Sequence, residues 1–366
     1  MKVRFNRQEM SDAFVSICGV AASRTPKEVL KCVRIEAHGD FVLLLATDLE
    51  VGIRCAVNQV EVTETGEVLV LADMLAQIVR ESTDDLLSLE LEGNNLHVRG
   101  DDSHFQVVTQ DVSEFPPVAM MDGDPDFVIT FGLIRRLTEW TLFAAAREST
   151  RYAIHGVFWE VAGEKLTMAT TDGRRLSCGH GPIAVGGKEA NWQAIVPVKA
   201  LALISRATAD PEAQVGVKMT ASQLLLHVGP TTISTSLVEG RFPKYQDVIP
   251  TDCDKLVELN TLAFQSALKR AALLTNEESK GVRLSFAKDV LTLSSRAPEQ
   301  GEATISLPVV YDHDPVEIGF NPTFLLDVLR VAHTDTISLA IKEANRPGVV
   351  RISDDLVYVV MPVNLS

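Results

Sequence analysis

The chain lacks the sequence signals of membrane and exported proteins. Its 366 residues are 46% hydrophobic, but they contain no apolar run of 18 residues, whereas a membrane-spanning helix needs about 20. The opening stretch MKVRFNRQEM has no long apolar segment of the kind found in a signal peptide, and it alternates like a strand. We therefore expect a soluble protein of the cytoplasm with no membrane partner.

The cysteine and histidine patterns argue against disulfide and metal frameworks. The five cysteines are odd in number and never closely paired: Cys18, Cys32, Cys55, Cys178 and Cys253. The eight histidines are scattered, without any i, i+4 spacing. Disulfide frameworks use even numbers of cysteines, and zinc sites use closely spaced ligands. We predict reduced, mostly buried thiols and no metal site.

Catalytic motifs are also missing. There is no Gly-x-Ser-x-Gly elbow and no dinucleotide fingerprint. The segment 181–188, GPIAVGGK, fails as a phosphate loop because its lysine is one position late and is followed by Glu189. The segment 122–126, DGDPD, contains Pro125 and has no distal glutamate, so we interpret it as a solvated linker rather than a calcium loop. We predict neither catalysis nor a cofactor.

The chain does contain one pattern six times: a short alternating strand, an amphipathic helix and at least two further strands. The copies begin at Lys2, Glu67, Phe127, Trp192, Leu256 and Val316. The period is about 125 residues at one level and about 65 at the other, which is typical of repeated architectures. It predicts an α+β protein of three similar domains, each of two β-α-β-β-β halves. Stretches rich in proline and aspartate place these domains at 1–122, 126–250 and 254–366.

The net charge of −15 counts against nucleic acid as a partner, because duplex binding depends on neutralising phosphates. Its distribution points the other way. The six predicted helices are 6–20, 73–81, 133–147, 199–207, 263–274 and 323–333. They carry ten Lys or Arg and six Asp or Glu, a net charge of +4 that leaves −19 for the remainder. Two interpretations stay open: the helices face an anion, or Lys and Arg are present as good helix formers.

Particular stretches of the sequence carry a resemblance to a known family. The longest are RYAIHGVFWEVAGEKLTMATTDGRRLS (151–177), VEGRFPKYQDVIP (238–250) and YVVMPVNLS (358–366). Shorter ones are SRTP (23–26), ATDLE (46–50), TNEESKGVRL (275–284) and EIGFN (317–321). Together they resemble the β sliding clamps of bacterial DNA polymerase III over the whole chain, with the same three-domain organisation that the repeats predict.

The resemblance implies a homodimer closed head to tail into a ring around duplex DNA, with helices inside and sheets outside. It implies a nucleoid-associated processivity factor without catalysis of its own, loaded by an ATP-dependent clamp loader. Twelve helices set about 10 Å apart leave a hole of about 28 Å, wide enough for a duplex of roughly 20 Å, whereas six leave only about 9 Å. One chain alone is therefore too small to encircle DNA.

The resemblance also implies where two copies meet. An edge strand near Phe105 and Val107 would contact Leu273 and Leu274 of the other copy, and pairing of edge strands would extend the sheet. The alternative interpretation is that these four residues belong to the core of a single chain.

A second implied site binds short hydrophobic peptides of partner proteins. The partners in the family are the DNA polymerase III α subunit, the clamp loader δ subunit, other polymerases with a clamp-binding motif and repair factors. By resemblance the pocket is lined by Ile154, Thr171, Gly173, Arg174, Arg175, Leu176, Pro243, Asp247, Val248, Asn321, Phe324, Val359, Val360, Met361, Pro362 and Val363. Aliphatic walls and a polarizable methionine suit several different peptides. Burial of an edge strand is the alternative for the terminal apolar run.

Residues implicated in DNA contact match or neighbour family positions at Arg24, Arg80, Tyr152 and Lys199. Ala153 stands where the family has an aromatic residue, so stacking on single-stranded template is expected to be weaker. Two other functions compete with the clamp interpretation. A scaffold could present peptides without encircling DNA, and an enzyme of phosphoryl transfer would need a carboxylate cluster that the sequence does not contain.

The rim of the predicted pocket departs from the family in charge. Asp247 and Asn364 stand where basic residues are common, which makes the rim less positive and favours partner peptides with fewer acidic residues. We predict that Asp247→Arg changes the affinity for a partner peptide, because the substitution reverses the charge at the rim. Titration of a labelled peptide measures this, and an unchanged affinity would remove the charge argument.

Overall fold

The computed structural model of the chain describes residues 1–21, 25–146, 153–186, 191–207, 209–275, 281–298 and 300–365. These residues contain six α-helices and 26 strands, and the predicted α+β class is confirmed. The helices are α1 (Arg7–Val20), α2 (Ala72–Glu81), α3 (Phe131–Thr141), α4 (Val198–Arg206), α5 (Thr261–Ala271) and α6 (Pro322–Arg330).

The 26 strands alternate in groups with the helices along the chain. The first nine are β1 (Lys2–Asn6), β2 (Cys32–Ala37), β3 (Val42–Thr47), β4 (Val51–Val57), β5 (Val60–Glu64), β6 (Gly66–Leu71), β7 (Leu86–Glu92), β8 (Asn95–Arg99) and β9 (His104–Val108). The next nine are β10 (Phe127–Thr130), β11 (Gly156–Ala162), β12 (Lys165–Thr171), β13 (Arg175–Pro182), β14 (Ala184–Val185), β15 (Asn191–Pro197), β16 (Gln214–Met219), β17 (Gln223–Val228) and β18 (Thr231–Ser236). The last eight are β19 (Lys255–Asn260), β20 (Val282–Ala287), β21 (Val290–Ala297), β22 (Gly301–Pro308), β23 (Val316–Phe320), β24 (Thr336–Ile341), β25 (Gly348–Ser353) and β26 (Leu356–Val360).

The six copies of the repeat exchange their first strands in pairs. In each copy one strand precedes the helix and three follow it, and the copies at Lys2 and Phe127 each have one further strand, β5 and β14. The leading strand pairs antiparallel with the first strand after the helix of the neighbouring copy: β1 with β7, β6 with β2, β10 with β16, β15 with β11, β19 with β24 and β23 with β20. Each sheet segment is therefore built from two copies, which ties the copies together through backbone hydrogen bonds.

The chain divides into two compact units. One comprises Met1–Arg135, Ile183–Ala190 and Lys199–Leu237. It contains a five-stranded sheet in the order β5-β1-β7-β8-β9 and a nine-stranded sheet in the order β14-β10-β16-β17-β18-β4-β3-β2-β6. The nine-stranded sheet arises because β18 pairs with β4, which joins strands nearly 180 residues apart, as in Thr235 opposite Val51.

The other unit comprises Arg136–Pro182, Asn191–Val198 and Val238–Ser366. It contains an eight-stranded sheet in the order β15-β11-β12-β13-β26-β25-β24-β19 and a four-stranded sheet in the order β22-β21-β20-β23. Its largest core cluster is formed by the buried faces of α5 and α6 against these strands, with Phe264 and Phe320 at most 1% exposed. Burial of such apolar faces is the main favourable term in the fold.

Three of the helices begin at an asparagine that caps them. The side chains of Asn6, Asn260 and Asn321 accept hydrogen bonds from the backbone N–H of Glu9, Ala263 and Thr323. An asparagine at this position satisfies one of the amide groups that the first helical turn leaves without a partner. The capping residue is the last residue of β1 and of β19 and directly follows β23, so the same local chemistry turns strand into helix in different copies of the repeat.

The structure corrects the ends of several predicted elements. The apolar run 356–363 has the pattern of a single strand, but β26 ends at Val360. Pro362 has no backbone N–H and cannot continue a ladder. The predicted helices 133–147 and 263–274 end as α-helices at Thr141 and Ala271, and each continues for three residues as a 3-10 turn.

The buried face of α5 can be tested by substitution. Phe264 is 1% exposed, whereas Leu262 on the same helix is 75% exposed. We predict that Phe264→Ala lowers the free energy of unfolding by about 3–5 kcal/mol, because it leaves a cavity in the core. Leu262→Ala should change it by less than about 0.5 kcal/mol. Urea unfolding followed by circular dichroism compares the two, and equal losses would contradict the assigned face.

Candidate functional site

The candidate site is built where β13 pairs with β26. In this antiparallel register Arg175 lies opposite Val360 and Leu176 lies opposite Val359. Leu176 and Val359 are each 3% exposed and belong to one hydrophobic cluster. The pairing therefore places two of the segments that sequence resemblance assigned to a peptide pocket side by side, although they are far apart in the chain.

The turn before β13 has a fixed geometry. The Thr171 hydroxyl donates to the backbone oxygen of Arg175 at 2.6 Å and accepts from the Gly173 N–H at 3.1 Å. The Asp172 carboxylate accepts from the backbone N–H groups of Arg174 and Arg175 at 3.0 and 3.1 Å. Gly173 has a φ of 85°, the left-handed conformation that glycine adopts without strain. The turn presents its exposed backbone in one conformation.

Arg175 is the electrostatic centre of the site. Its side chain is 10% exposed, and each of its three guanidinium nitrogens donates a hydrogen bond. The acceptors are Asp172 at 2.9 Å, Asp327 at 2.7 Å and the backbone oxygen of Phe143 at 2.7 Å. The guanidinium also stacks on the Phe324 ring at 4.5 Å from its centroid. Arg175 thus joins the turn, the end of α3 and helix α6.

The charge of Arg175 is maintained by its partners. Burial alone lowers the pKa of this guanidinium, but the hydrogen bond to Asp327 and the nearby Tyr358 and Asp172 raise it above its ordinary value. A charge this deeply buried is stable only when its hydrogen-bonding groups are satisfied. Since all three nitrogens already have acceptors within the chain, we assign Arg175 the role of shaping the site.

Phe324 is held in place from two sides. The Tyr358 hydroxyl donates to the Phe324 backbone oxygen at 2.9 Å, and burial raises the pKa of that hydroxyl, so it remains a donor. The Phe324 ring is half-buried and packs on the core cluster below it. Asn321, another predicted lining residue, uses its side-chain oxygen to cap α6 by accepting from Thr323 N–H at 2.9 Å.

The segment 243–248 is anchored by a residue that sequence reasoning did not assign. Tyr245 is 6% exposed, lies 5.9 Å from Phe158 between ring centroids and donates from its hydroxyl to Glu160 at 3.1 Å. It belongs to the same hydrophobic cluster as Leu176 and Val359. In the sequence, the one indication of this anchoring role is that Tyr245 is the single aromatic residue between Pro243 and Pro250.

The predicted lining residues differ in how much surface they expose. Ile154, Val359 and Val360 are 7%, 3% and 0% exposed and lie inside the structure. Val248 and Met361 are 54% and 43% exposed. Accessible apolar surface therefore comes from side chains at the rim, supported by the buried set. The assignment of the whole set to one peptide pocket stays a prediction.

The predicted DNA-contact residues are only partly described. Arg24 and Tyr152 lie outside the described residues. Arg80 has 65% of its side chain exposed and contacts Glu81 at 3.1 Å. Lys199 forms an ion pair with Asp48 and also donates to a backbone carbonyl, so a phosphate would have to compete with a carboxylate for it. Of the two described residues, Arg80 is the more exposed, with 65% of its side chain accessible against 38% for Lys199.

The predicted contact residues between copies lie on β9 and after α5. Phe105 is 40% exposed, whereas Val107 is 5% exposed and belongs to the buried core residues. Val108, which sequence reasoning did not select, is 68% exposed. Leu273 is 76% exposed and Leu274 is half-buried in the 3-10 turn after α5. Phe105 and Val107 share one face of β9 and Val108 lies on the other, and the assignment of the four predicted residues to a contact between copies stays a prediction.

Two of the histidines are not scattered as predicted. His97 on β8 and His104 on β9 stack with centroids 5.1 Å apart, and a nitrogen of each ring lies 2.8 Å from the other. They are diagonal neighbours on one face of the sheet, which a seven-residue separation in sequence concealed. Within the described ranges, no three His, Cys, Asp or Glu side chains converge in a way that could hold a metal ion.

The five cysteines are free thiols, and three of them are buried. Burial raises the pKa of Cys32 to about 11 and that of Cys178 to about 12, so these thiols are poor nucleophiles at neutral pH. In the parts of the chain that the structure covers, no helix combines the length and apolar character needed to span a membrane.

Comparison of the sequence with known families gives matches along the whole chain. The N-terminal, central and C-terminal domains of the DNA polymerase III beta subunit match residues 1–120, 129–244 and 246–364. The "Beta sliding clamp" of Pseudomonas putida is 33% identical over 370 residues, and that of Escherichia coli K12 is 30% identical over 370 residues. Both alignments cover 100% of this chain and 100% of the relative.

Solved structures give the same result. The crystal structure of the DNA polymerase III subunit beta from Pseudomonas aeruginosa has a TM-score of 0.93 at 32% identity, with 100% of both chains covered. A sliding clamp from the same organism bound to griselimycin has a TM-score of 0.94 at 32% identity, again with full coverage of both chains. The clamp of Bacillus subtilis, at 23% identity and a TM-score of 0.94 over the full length of both chains, shares the fold.

The role of Arg175 leads to a stability prediction with a matched control. Arg175→Lys keeps the charge but cannot serve three acceptors at once, so we expect the free energy of unfolding to fall by about 2–4 kcal/mol. The neighbouring Arg174 is exposed, and Arg174→Lys should change it by less than about 0.5 kcal/mol. Urea midpoints measure both variants. Equal midpoints would show that the three hydrogen bonds do not hold the site together.

Proposed function

Because this chain belongs to the DNA polymerase III beta subunit family, we propose that it acts as a DNA sliding clamp. It holds the replicative polymerase on duplex DNA and raises the number of nucleotides added in one binding event, without catalysis of its own. The observation that carries this proposal is the full-length similarity to relatives named beta sliding clamps, at 33% and 30% identity. The interaction with DNA needs no base readout, since a closed ring holds by topology and its contacts go to phosphates.

Three domains at 1–122, 126–250 and 254–366 carry this function. The exchange of leading strands supports the division, because it occurs between the copies at Lys2 and Glu67, between those at Phe127 and Trp192, and between those at Leu256 and Val316. Each proposed domain is then a pair of copies that complete each other's sheets. The polar segments between them contain no strand of the exchange.

Two copies of the chain close head to tail into a ring, and the way strands pair within one chain supports this arrangement. In each unit, the third strand after the helix of one domain's first half pairs with the equivalent strand of the next domain's second half: β4 with β18, and β13 with β26. By the same rule β22 should pair with β9. Among the described residues both are edge strands, at the ends of the four-stranded and five-stranded sheets.

Pairing of β9 from one copy with β22 from the other, and the reverse, satisfies both edges. It produces two nine-stranded sheets, equal in size to the nine-stranded sheet already present within one chain. Exposed edges left open invite aggregation, so a partner for each is expected. Apolar side chains support the same contact: Phe105 and Val108 on β9, and Leu273 beside β22, are 40%, 68% and 76% exposed.

The same chain recruits partners through the site around Arg175. The DNA polymerase III α subunit and the clamp loader δ subunit insert a short hydrophobic segment beside Met361 and Val248, over the buried support of Leu176 and Val359. Since Asp247 lies on this rim, peptides with fewer acidic residues bind best. DNA passes on the helical side, where Arg24, Arg80, Tyr152 and Lys199 are the proposed contacts. An ATP-dependent loader opens and closes the ring.

Primer extension on a long single-stranded circle tests the proposal. The cognate polymerase, clamp loader and ATP are combined with or without this protein, and excess competing DNA traps every polymerase that dissociates. With the protein, each polymerase should synthesise much longer products before release. Products of equal length in both reactions would contradict the assigned function.

The contact between copies predicts a dimer that two substitutions separate. Leu273→Asp combined with Leu274→Asp should give monomers, because charges would replace apolar side chains in a desolvated interface. Leu262→Asp places the same charge on an equally exposed position of α5 and serves as the matched control, which should leave the dimer intact. Light scattering measures the mass. A dimer mass for the double variant would contradict the proposed contact.

A further inference from the structure

The residues that follow β26 return to the four-stranded sheet and are fixed there. We call residues 361–365 the tail. The Val363 N–H donates to the Gly319 backbone oxygen at 2.8 Å. The Leu365 side chain lies directly over two glycines, Gly281 and Gly319, which we call the glycine seat. At its other end the tail is held by the Met361 N–H, which donates to the Arg174 oxygen at 2.9 Å.

The glycine seat is required by space and not by backbone conformation. Neither glycine has the left-handed φ that a larger residue would avoid. A Cβ atom at Gly319 would lie 2.7 Å from Leu365 Cγ and 2.7 Å from the Val363 oxygen, closer than real Cβ contacts come. A Cβ at Gly281 would lie 2.9 Å from Val363 Cγ2 and closer still to Leu365 Cδ2. Side chains at these two positions would therefore push the tail away.

The two glycines lie on one face of the sheet. Gly319 pairs with Arg283, and Gly281 lies two residues before Arg283, so all three share a face. The same face carries the ion pair between Arg283 and Glu317 at 2.8 Å. Beside this ion pair the glycine seat is a gap that fits an apolar side chain. Leu365 is half-buried in it.

A cleft of about 700 Å³ borders the tail and is lined by Arg283 and Glu317 on the sheet side and by residues 361–365 on the other. Met361 is 43% exposed, and Pro362 has no N–H with which to bind the sheet. Met361 and Val363 are each held by one backbone hydrogen bond, and Leu365 in the glycine seat fixes the end of the tail that follows them.

We propose that Leu365, held in the glycine seat, is a positioning residue that fixes Met361 and Val363 as one wall of the partner-peptide pocket. It controls peptide affinity without touching the peptide. This inference rests on the proposed function, because it concerns the pocket through which the clamp recruits its partners. Its structural part, the attachment of the tail, can be measured without any peptide.

The experiment compares the unmodified dimer with Leu365→Ala, Gly319→Ala and Gly281→Ala. Hydrogen exchange at the Val363 amide reports attachment of the tail. Fluorescence polarisation with a labelled peptide from the clamp-binding segment of the DNA polymerase III α subunit reports the pocket. We expect each variant to speed exchange at Val363 and to raise the Kd roughly tenfold, which corresponds to about 1.4 kcal/mol. Leu365→Met, which fills the seat with a side chain of similar volume, should retain both properties.

A double variant separates positioning from general damage. Gly281→Ala acts chiefly by displacing Leu365, and its other close contact, Val363 Cγ2, is the end of a side chain that can rotate away. Once Leu365 is alanine the substitution should therefore have little further effect, and the two changes should be far from additive. Gly39 has ordinary backbone conformation and open space around it, so Gly39→Ala is the control that should change neither measurement.

The outcomes distinguish the inference from the function beneath it. Failure of the unmodified protein to bind the peptide would contradict the proposed function before any variant is compared. If the unmodified protein binds, and the variants release Val363 yet bind the peptide equally well, the positioning role is wrong. Unchanged exchange at Val363 in all three variants would show that the seat does not hold the tail.

Discussion

The constraint on which this structure depends is that the edge of a β-sheet carries backbone donors and acceptors that need partners. Each copy of the repeat is too small to form a closed sheet, and its leading strand is therefore donated to the neighbouring copy. The same requirement joins β4 to β18 and β13 to β26, so separate parts of the chain share continuous sheets. The equivalent strands β9 and β22 have no such partner among the described residues of one chain, and in the proposed dimer each pairs with the other copy.

The candidate peptide site is a consequence of one of these strand pairings. Pairing of β13 with β26 brings the turn at 171–175 next to the tail, and Arg175 then finds Asp327, which is 152 residues away in the chain. Ion pairs, the stacking of Arg175 on Phe324 and backbone hydrogen bonds hold the buried part of the site in one arrangement. The apolar side chains at the rim remain exposed. A rigid base with an adaptable rim suits a protein that binds several partners in turn.

Sequence reasoning could find the elements but not their partners. The six repeats, the helix positions and most of the strands could be predicted from periodicity, because burial of one face places apolar residues at regular intervals. Strand exchange produces no such pattern, since a strand has the same alternation of apolar and polar residues whichever strand pairs with it. For the same reason the proximity of His97 and His104 was missed. Contacts such as Arg175 with Asp327 or Lys199 with Asp48 join side chains about 150 positions apart in the chain, and no local sequence pattern indicates them.

Topological retention on DNA would show directly whether the protein works as a closed ring. The purified protein is loaded by a clamp loader and ATP onto a nicked circular plasmid, free protein is removed, and the plasmid is then cut once with a restriction enzyme. A ring that holds DNA only by encircling it must slide off the new ends, so we expect release on cutting and retention on the uncut circle. Protein that stays bound to the linear plasmid would be gripping DNA by direct contact, and the protein would then not be a sliding clamp.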